Sequence, residues 1–385
     1  MSVALSEADV VVVGGGPAGL RTAALLAERG LQSVIYEQQR SLAAIPHCAG
    51  VVCGETLSAM GFVAKPPLVQ TVLNEVRVVG PGGVSVELKP KQSAYVLDRG
   101  LFDCALAASA LQAGAELVLG VHVTHIEVSK ERALVVTTNA GKTRCKVVVI
   151  AEGIGRILAA RLLGGRMRPA SAALLHAAVI QGDVEEDRCE ILVDPSVAKG
   201  AFAYLIPIED NLVKAGVVAP KGDPLNILKQ LLQRFGYQIQ PLQTVVHPVN
   251  LSGLLPSSRD CVIAVGDAAG HSKPTTGGGL WLIAHTSSLA ADAVCRFIRS
   301  GVDLSTYERS VKQRFGSEFA KMQKARAIFN YISARILRAC IRLLNEDHEL
   351  RSIVENWGSM DTLGSLTHAL LKLDRVARLI KSVLH

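Results

Sequence analysis

Three glycines, Gly14, Gly16 and Gly19, stand in the segment GGGPAG, directly after the apolar run at residues 9–13 (DVVVV). The chemistry this spacing supports is anion binding at the start of a helix. The first glycine permits a tight turn, the second lets backbone approach a pyrophosphate, and the third lets the helix, whose first N–H groups are unpaired, pack closely. Glu37 lies 21 residues after Gly16, at the end of the next strand-like run, where a carboxylate can accept hydrogen bonds from ribose hydroxyls. The pattern predicts a dinucleotide site; the alternative is a turn with no ligand.

A second glycine-rich segment, GDAAGHSKPTTGGGL at residues 266–280, follows another short apolar run, CVIAV. Asp267 at a strand end could bind a ribityl hydroxyl, and the glycines entering a helix could bring backbone N–H groups against a flavin ring or phosphate. A nicotinamide enzyme has no need of this segment. His271 and Lys273 either face the pyrimidine end of such a ring or, the preferred reading, are solvated at the surface. Gly153-Ile154-Gly155 lacks a third glycine, so a nicotinamide donor would bind only transiently, or a small electron carrier would reduce the flavin. The eight cysteines read as reduced thiols. Cys48 and Cys53 have no second close pair to complete four ligands, so no metal site is expected.

These residues need a scaffold, and the rest of the chain describes one. At 385 residues, with 49% apolar and 19% charged residues, the composition excludes disorder and suggests two or three domains at roughly 150 residues each. The run 9–13, a helix with small residues at Ala23, Ala24 and Ala27, and residues 33–37 form a βαβ unit. Residues 98–113 read as a helix and 116–149 as further strands. Residues 72–95 and about 170–249 alternate as antiparallel strands do, with one helix near residues 224–235. A long helix starts near Leu280, and the last 80 or so residues are helical by periodicity.

The net charge of +7 is concentrated late: residues 309–342 hold nine basic residues against Glu318 alone. Ile328, Phe329, Ile332, Ile336, Leu337, Ile341 and Leu344 interleave with them at helical spacing. This stripe either packs on the protein with a solvated basic face or meets anionic lipid headgroups. Aromatic residues are only 4% of the chain, and no nucleic-acid partner is expected. No apolar run approaches the roughly 20 residues of a membrane span and no export signal is evident, so a cytoplasmic location is expected, with peripheral contact at an anionic membrane.

Taken in order, GGGPAG, PHCAG at residues 46–50, YVLDRGLFD at 95–103, IAEG at 150–153 and the 266–280 segment resemble the flavoproteins of the aromatic-hydroxylase fold, and within them the geranylgeranyl reductase family. The resemblance runs to about residue 320. It implies an α/β fold: a Rossmann-like FAD-binding domain (1–71, 95–168 and 256–300), an inserted antiparallel-sheet substrate domain (72–94 and 169–255) and a helical C-terminal region (301–385). It implies FAD as cofactor, with Arg99 against its phosphates or adenosine, Val123 lending backbone to adenine, Cys48 and Ala49 beside the isoalloxazine, Gly279 and Leu280 against the ring, and Asp267 near the ribityl chain. The alternative for Arg99 is a surface salt bridge with Asp98 or Asp103. The substrate implied is an isoprenoid lipid, and the electron donor NAD(P)H or a ferredoxin-like carrier.

Two departures stand out. The family's Tyr-x-Trp-x-Phe-Pro motif corresponds here to Phe202, Tyr204, Ile206 and Pro207, which keeps an apolar substrate wall but not its aromatic pattern. Arg156 replaces an expected serine, a change of small consequence on this reading. The reaction implied is saturation of an isolated C=C bond, a poor electrophile that needs an acid held at the reacting carbon. Cys48 is the candidate for that acid or its relay, the alternative being a small buried hydrophobe. Competing functions are a hydroxylase of an apolar substrate on the same fold and a flavin-binding protein without catalysis.

Overall fold

A computed structural model describes residues 5–42, 48–167, 169–209 and 211–364. Strand β1 (Leu5–Val13) pairs in parallel with the strand Lys142–Ile150 on one side and with β2 (Ser33–Glu37) on the other, and Val262–Ala264 adds a further parallel strand beyond Lys142–Ile150. Val10 and Val12 of β1 enter one apolar cluster while Val11 and Val13 enter another. Both faces are therefore covered, which is why the strand is apolar throughout rather than alternating. Helix α1 (Pro17–Glu28) covers one face with Leu20, Ala23 and Ala24, and stops at Gly30, whose φ of +79° suits a residue without a side chain. The sheet has eight strands, including the antiparallel pair Val123–Val128 and Ala133–Thr137 attached to Lys142–Ile150.

The second sheet has seven strands, antiparallel except where Arg188–Leu192 runs parallel to Glu75–Val79. Residues 75–88 thus join residues 170–249 through space. Along its strands the side chains alternate by face. Ala203, Leu205, Val213, Ala215 and Val217 pack on Ile227, Leu228 and Leu231 of the helix Pro224–Arg234. The opposite face carries Tyr204 and Ile206, which pack with Ala49 and with Val51 and Val96 of a small three-stranded sheet, whose Val52 and Leu97 enter the core of the first sheet.

The C-terminal helices tie these layers together. Helix Ser305–Tyr331 buries Tyr307, Val311 and Phe315 in the core of the first sheet. Further along, its Arg326 donates to the Gly200 carbonyl at 2.6 Å and reaches the Thr275 carbonyl at 3.4 Å. Helix Ala334–Glu346 seats Ile341 over Gly80, and Arg338 donates to the Pro81 carbonyl. The apolar stripe is divided by this packing: Ile341 is buried, whereas Ile328 and Ile336 are exposed, as is Tyr331 beside them. Among the described residues no helix is long and apolar enough to cross a membrane.

Candidate functional site

The carboxyl ends of β1, β2 and Lys142–Ile150 converge on a cavity of about 420 Å³, and the turn from β1 into α1 forms its floor. Gly14 holds φ at +109°, and a Cβ there would sit 2.3 Å from the Ala151 carbonyl oxygen, so the strand crossing depends on glycine. A Cβ on Gly19 would lie 2.0 Å from the Gly14 carbonyl oxygen; that residue sets helix packing and does not line the cavity. Gly16 differs. A Cβ there would meet nothing within 4 Å, because the residue faces the open cavity at the helix N-terminus, where no side chain caps the first N–H groups.

Glu37 reaches the same floor from the end of β2. Its carboxylate accepts from the Gly15 N–H at 2.6 Å and the Gln39 N–H at 2.7 Å. Val123 and Arg99 close the far side. Arg99 opens the helix Arg99–Gln112, whose N-cap Asp98 accepts from the Leu101 N–H. It pairs with Asp103 at 3.0 Å and is only 9% exposed, so the salt bridge allowed for it exists within the cavity wall rather than on an open surface. Burial opposes the Arg99 charge, but Cys48 and Asp103 outweigh it and hold the proton more tightly than usual.

Asp267 enters from the 3-10 turn Gly266–Ala269. Burial pushes its pKa up to about 6, with the Arg99 charge working the other way. Gly279 folds back towards it, a Cβ there lying 3.7 Å from the Asp267 carboxylate. Leu280 then starts the helix Leu280–Ser300, packed against the core beneath. Gly279, Leu280, Cys48 and Ala49 lie outside the cavity lining. Cys48 is half-buried and accepts from the Gly50 N–H at 3.4 Å; its charge acts on Arg99 of the lining, which connects it to the cavity at one remove. Pro46 and His47 of the PHCAG segment lie outside the described residues.

Tyr204 and Ile206 share an apolar cluster with Ala49, so the expected substrate wall and the cysteine loop meet. Tyr204 lies over Gly216, where any Cβ would fall 2.2 Å from the phenol oxygen. Phe202 stands apart from that cluster, its ring edge-on to Phe329 at 6.5 Å.

Three expectations are corrected by burial. His271 is 1% exposed and its pKa is pushed down to about 3, so the ring is neutral, and Thr286 holds its Nδ1 at 3.1 Å. Lys273 is 5% exposed, and its ammonium donates to Asp361 at 2.8 Å and to the Met360 carbonyl at 2.6 Å. Neither is a solvated surface residue. Arg156, expected to matter little, is buried with φ +47° and donates to the carbonyls of Ala268, Gly164 and Pro256, joining three loops.

Lys214, His176 and Asp361, also buried or half-buried here, belong to no motif of the sequence. The one available signal was a lysine inside the otherwise apolar run LVKAGVVA.

Residues 9–346 match the family model described as lycopene cyclase protein. The chain is 28% identical over 373 residues to digeranylgeranylglycerophospholipid reductase 2 of Methanopyrus kandleri, covering 90% of this chain and 93% of the relative. It is 29% identical over 358 residues to the digeranylgeranylglycerophospholipid reductase of Methanocella arvoryzae, covering 85% and 88%. Among solved structures, a geranylgeranyl bacteriochlorophyll reductase-like protein from Thermoplasma acidophilum superimposes with a TM-score of 0.86 at 21% identity, over 99% of this chain and 100% of that one. A flavin-dependent brominase superimposes at 0.69 with 18% identity, over 96% and 100%. The chain belongs to the lycopene cyclase protein family, and the resemblance to geranylgeranyl reductases is upheld by relatives of that name along most of its length.

Proposed function

We propose, from this membership, that the chain is an FAD-dependent reductase saturating C=C bonds of geranylgeranyl chains on membrane lipids. The observation that carries the reading is the convergence of Gly16, Glu37, Arg99 and Asp267 on one cavity. The residues fit the cofactor: Gly16 leaves open a space that any Cβ would invade, and the uncapped helix start supplies donors for a pyrophosphate. Glu37 is placed for ribose hydroxyls, Val123 for adenine, Arg99 for the phosphates and Asp267 for the ribityl chain. Gly279 and Leu280, with Cys48 and Ala49, are assigned to the ring.

When bound, reduced FAD supplies hydride to the alkene. The chain's own residues do the rest. Tyr204 and Ile206, with Phe202 further along, hold an isoprenoid tail in an apolar setting and keep water away. Cys48 gives a proton to the second alkene carbon. The donor that recharges the site is NAD(P)H or a ferredoxin-like carrier. Exposed Ile328, Tyr331 and Ile336 beside Arg335 support peripheral contact with an anionic membrane on the cytoplasmic side.

The test is anaerobic. Purified protein should be yellow, release FAD on denaturation, and after dithionite reduction be reoxidised by a geranylgeranyl lipid under argon, with hydrogen pairs added to the lipid by mass spectrometry. Colourless protein that refuses added FAD, or a product formed only with oxygen and bearing a hydroxyl, would refute the reading.

A further inference from the structure

Lys214 lies on the strand Leu212–Ala219, on the face turned away from the helix Pro224–Arg234, and is 2% exposed. A buried ammonium normally has a carboxylate partner. Lys273 has Asp361, and Arg188 has Glu190. Lys214 is held instead by two neutral oxygens, the Leu97 carbonyl at 2.9 Å and the Gln70 side-chain carbonyl at 2.7 Å. Arg156 and Arg326 are also buried on carbonyls, but a guanidinium keeps its proton, whereas an ammonium can surrender one. Burial pushes the Lys214 pKa down to about 8.

Its surroundings explain what such a group could serve. Leu97, whose carbonyl it holds, donates its own N–H to Gly50, and the Gly50 N–H donates to the Cys48 sulfur. The ammonium and the thiol are thus attached to the same short stretch of backbone. On its other side Gln70 is exposed, so the ammonium lies one residue beneath water. The titratable groups acting around it are Cys48, Asp98, Arg99 and His176, the last paired with it in strand register and with its Nε2 buried and unpartnered. Burial and then the lysine's charge push the His176 pKa down, with Asp98 opposing.

We propose that Lys214 is a positioning residue for Cys48, its charge, fixed to the Leu97–Gly50 backbone that carries the thiol, favouring the thiolate left when the thiol gives up its proton. In that transfer the S–H bond breaks as a C–H bond forms on the substrate. The S–H bond then re-forms with a proton from water, leaving hydroxide to the solvent, and Lys214 keeps its own protons throughout. No electrons are exchanged in these steps. The inference rests on the reading of Cys48 given under Proposed function, yet its test needs no lipid.

The experiment follows alkylation of Cys48 by iodoacetamide in the full-length, FAD-supplemented protein, reading the Cys48 peptide by mass spectrometry between about pH 6 and pH 10. Lys214→Met should slow alkylation about tenfold near neutral pH, the thiolate being the reactive form, with the difference closing at high pH. Gln70→Glu changes an exposed residue and should fold normally; by pairing the ammonium it should slow alkylation in the same direction. Profiles of both variants that superimpose on the wild type would overturn the proposal, whatever the lipid assay gives. A shifted profile with no lipid reduction would instead sustain the coupling while removing the assigned reaction.

Discussion

A single buried carboxylate offers the most direct handle on the cavity. Asp267 has its pKa raised from 3.8 to about 6, chiefly by burial. An acid whose folded-state pKa lies above its unfolded one holds its proton more readily when folded. Between those values the native state binds more proton than the unfolded chain, so the stability of flavin-free protein falls as pH rises through that window and the penalty is complete above it. Asp267→Asn removes the ionisation. Its flavin-free melting temperature should exceed the wild type's by about 2 °C near pH 7.5, with no gain near pH 4. The same variant should bind FAD more weakly, since the amide replaces the stronger charged acceptor. Calorimetry of flavin-free protein at the two pH values decides this: equal melting temperatures at both would mean Asp267 is not held in the way burial requires.

The turn between β1 and α1 separates two uses of glycine. At Gly19 a methyl group collides with the Gly14 carbonyl, whereas at Gly16 it projects into empty space. Gly19→Ala should therefore lose stability by several kcal/mol, since backbone cannot move aside as a flexible side chain can. Gly16→Ala should melt like the wild type but lose FAD affinity tenfold or more, read by flavin fluorescence on titration. This turn was legible in the sequence because its logic is local: strand, glycine spacing, helix and acidic residue follow within 37 positions. The strand, turn and helix around Asp267 were legible for the same reason, although Gly279 and Leu280 lie outside the cavity lining. The burial of Lys273 was not, because its partner Asp361 is 88 residues away, and Lys214 depends on Leu97 and Gln70, 117 and 144 residues distant. Short-range patterns identify elements; which buried charge meets which is decided by packing between them. His271 was misread on the same account, since its polar type suggested solvent while the Leu280–Ser300 helix and Tyr307 enclose it.

At the scale of the molecule, the C-terminal region acts as a strap across the loop at residues 266–279. Asp361 accepts from Lys273 of that loop and from Cys53 and Thr56 beside the small sheet, so one carboxylate joins segments separated by 308 residues. Leu363 and Gly364 are held in turn by Glu318 of the helix Ser305–Tyr331. The pair Lys273–Asp361 is 7% and 8% exposed by side chain. Removing one partner of such a pair leaves a buried charge unpaired, at a cost of about 3–5 kcal/mol, whereas replacing both with apolar groups can be close to neutral. Asp361→Leu should accordingly lower the melting temperature and loosen FAD, because the stranded ammonium pulls the Gly266–Gly279 loop out of place. Lys273→Met combined with Asp361→Leu should recover most of that stability. If the double variant were as unstable as Asp361→Leu alone, the loss would come from the bonds of Cys53 and Thr56 to Asp361, and the charge pair would not be what fastens the strap.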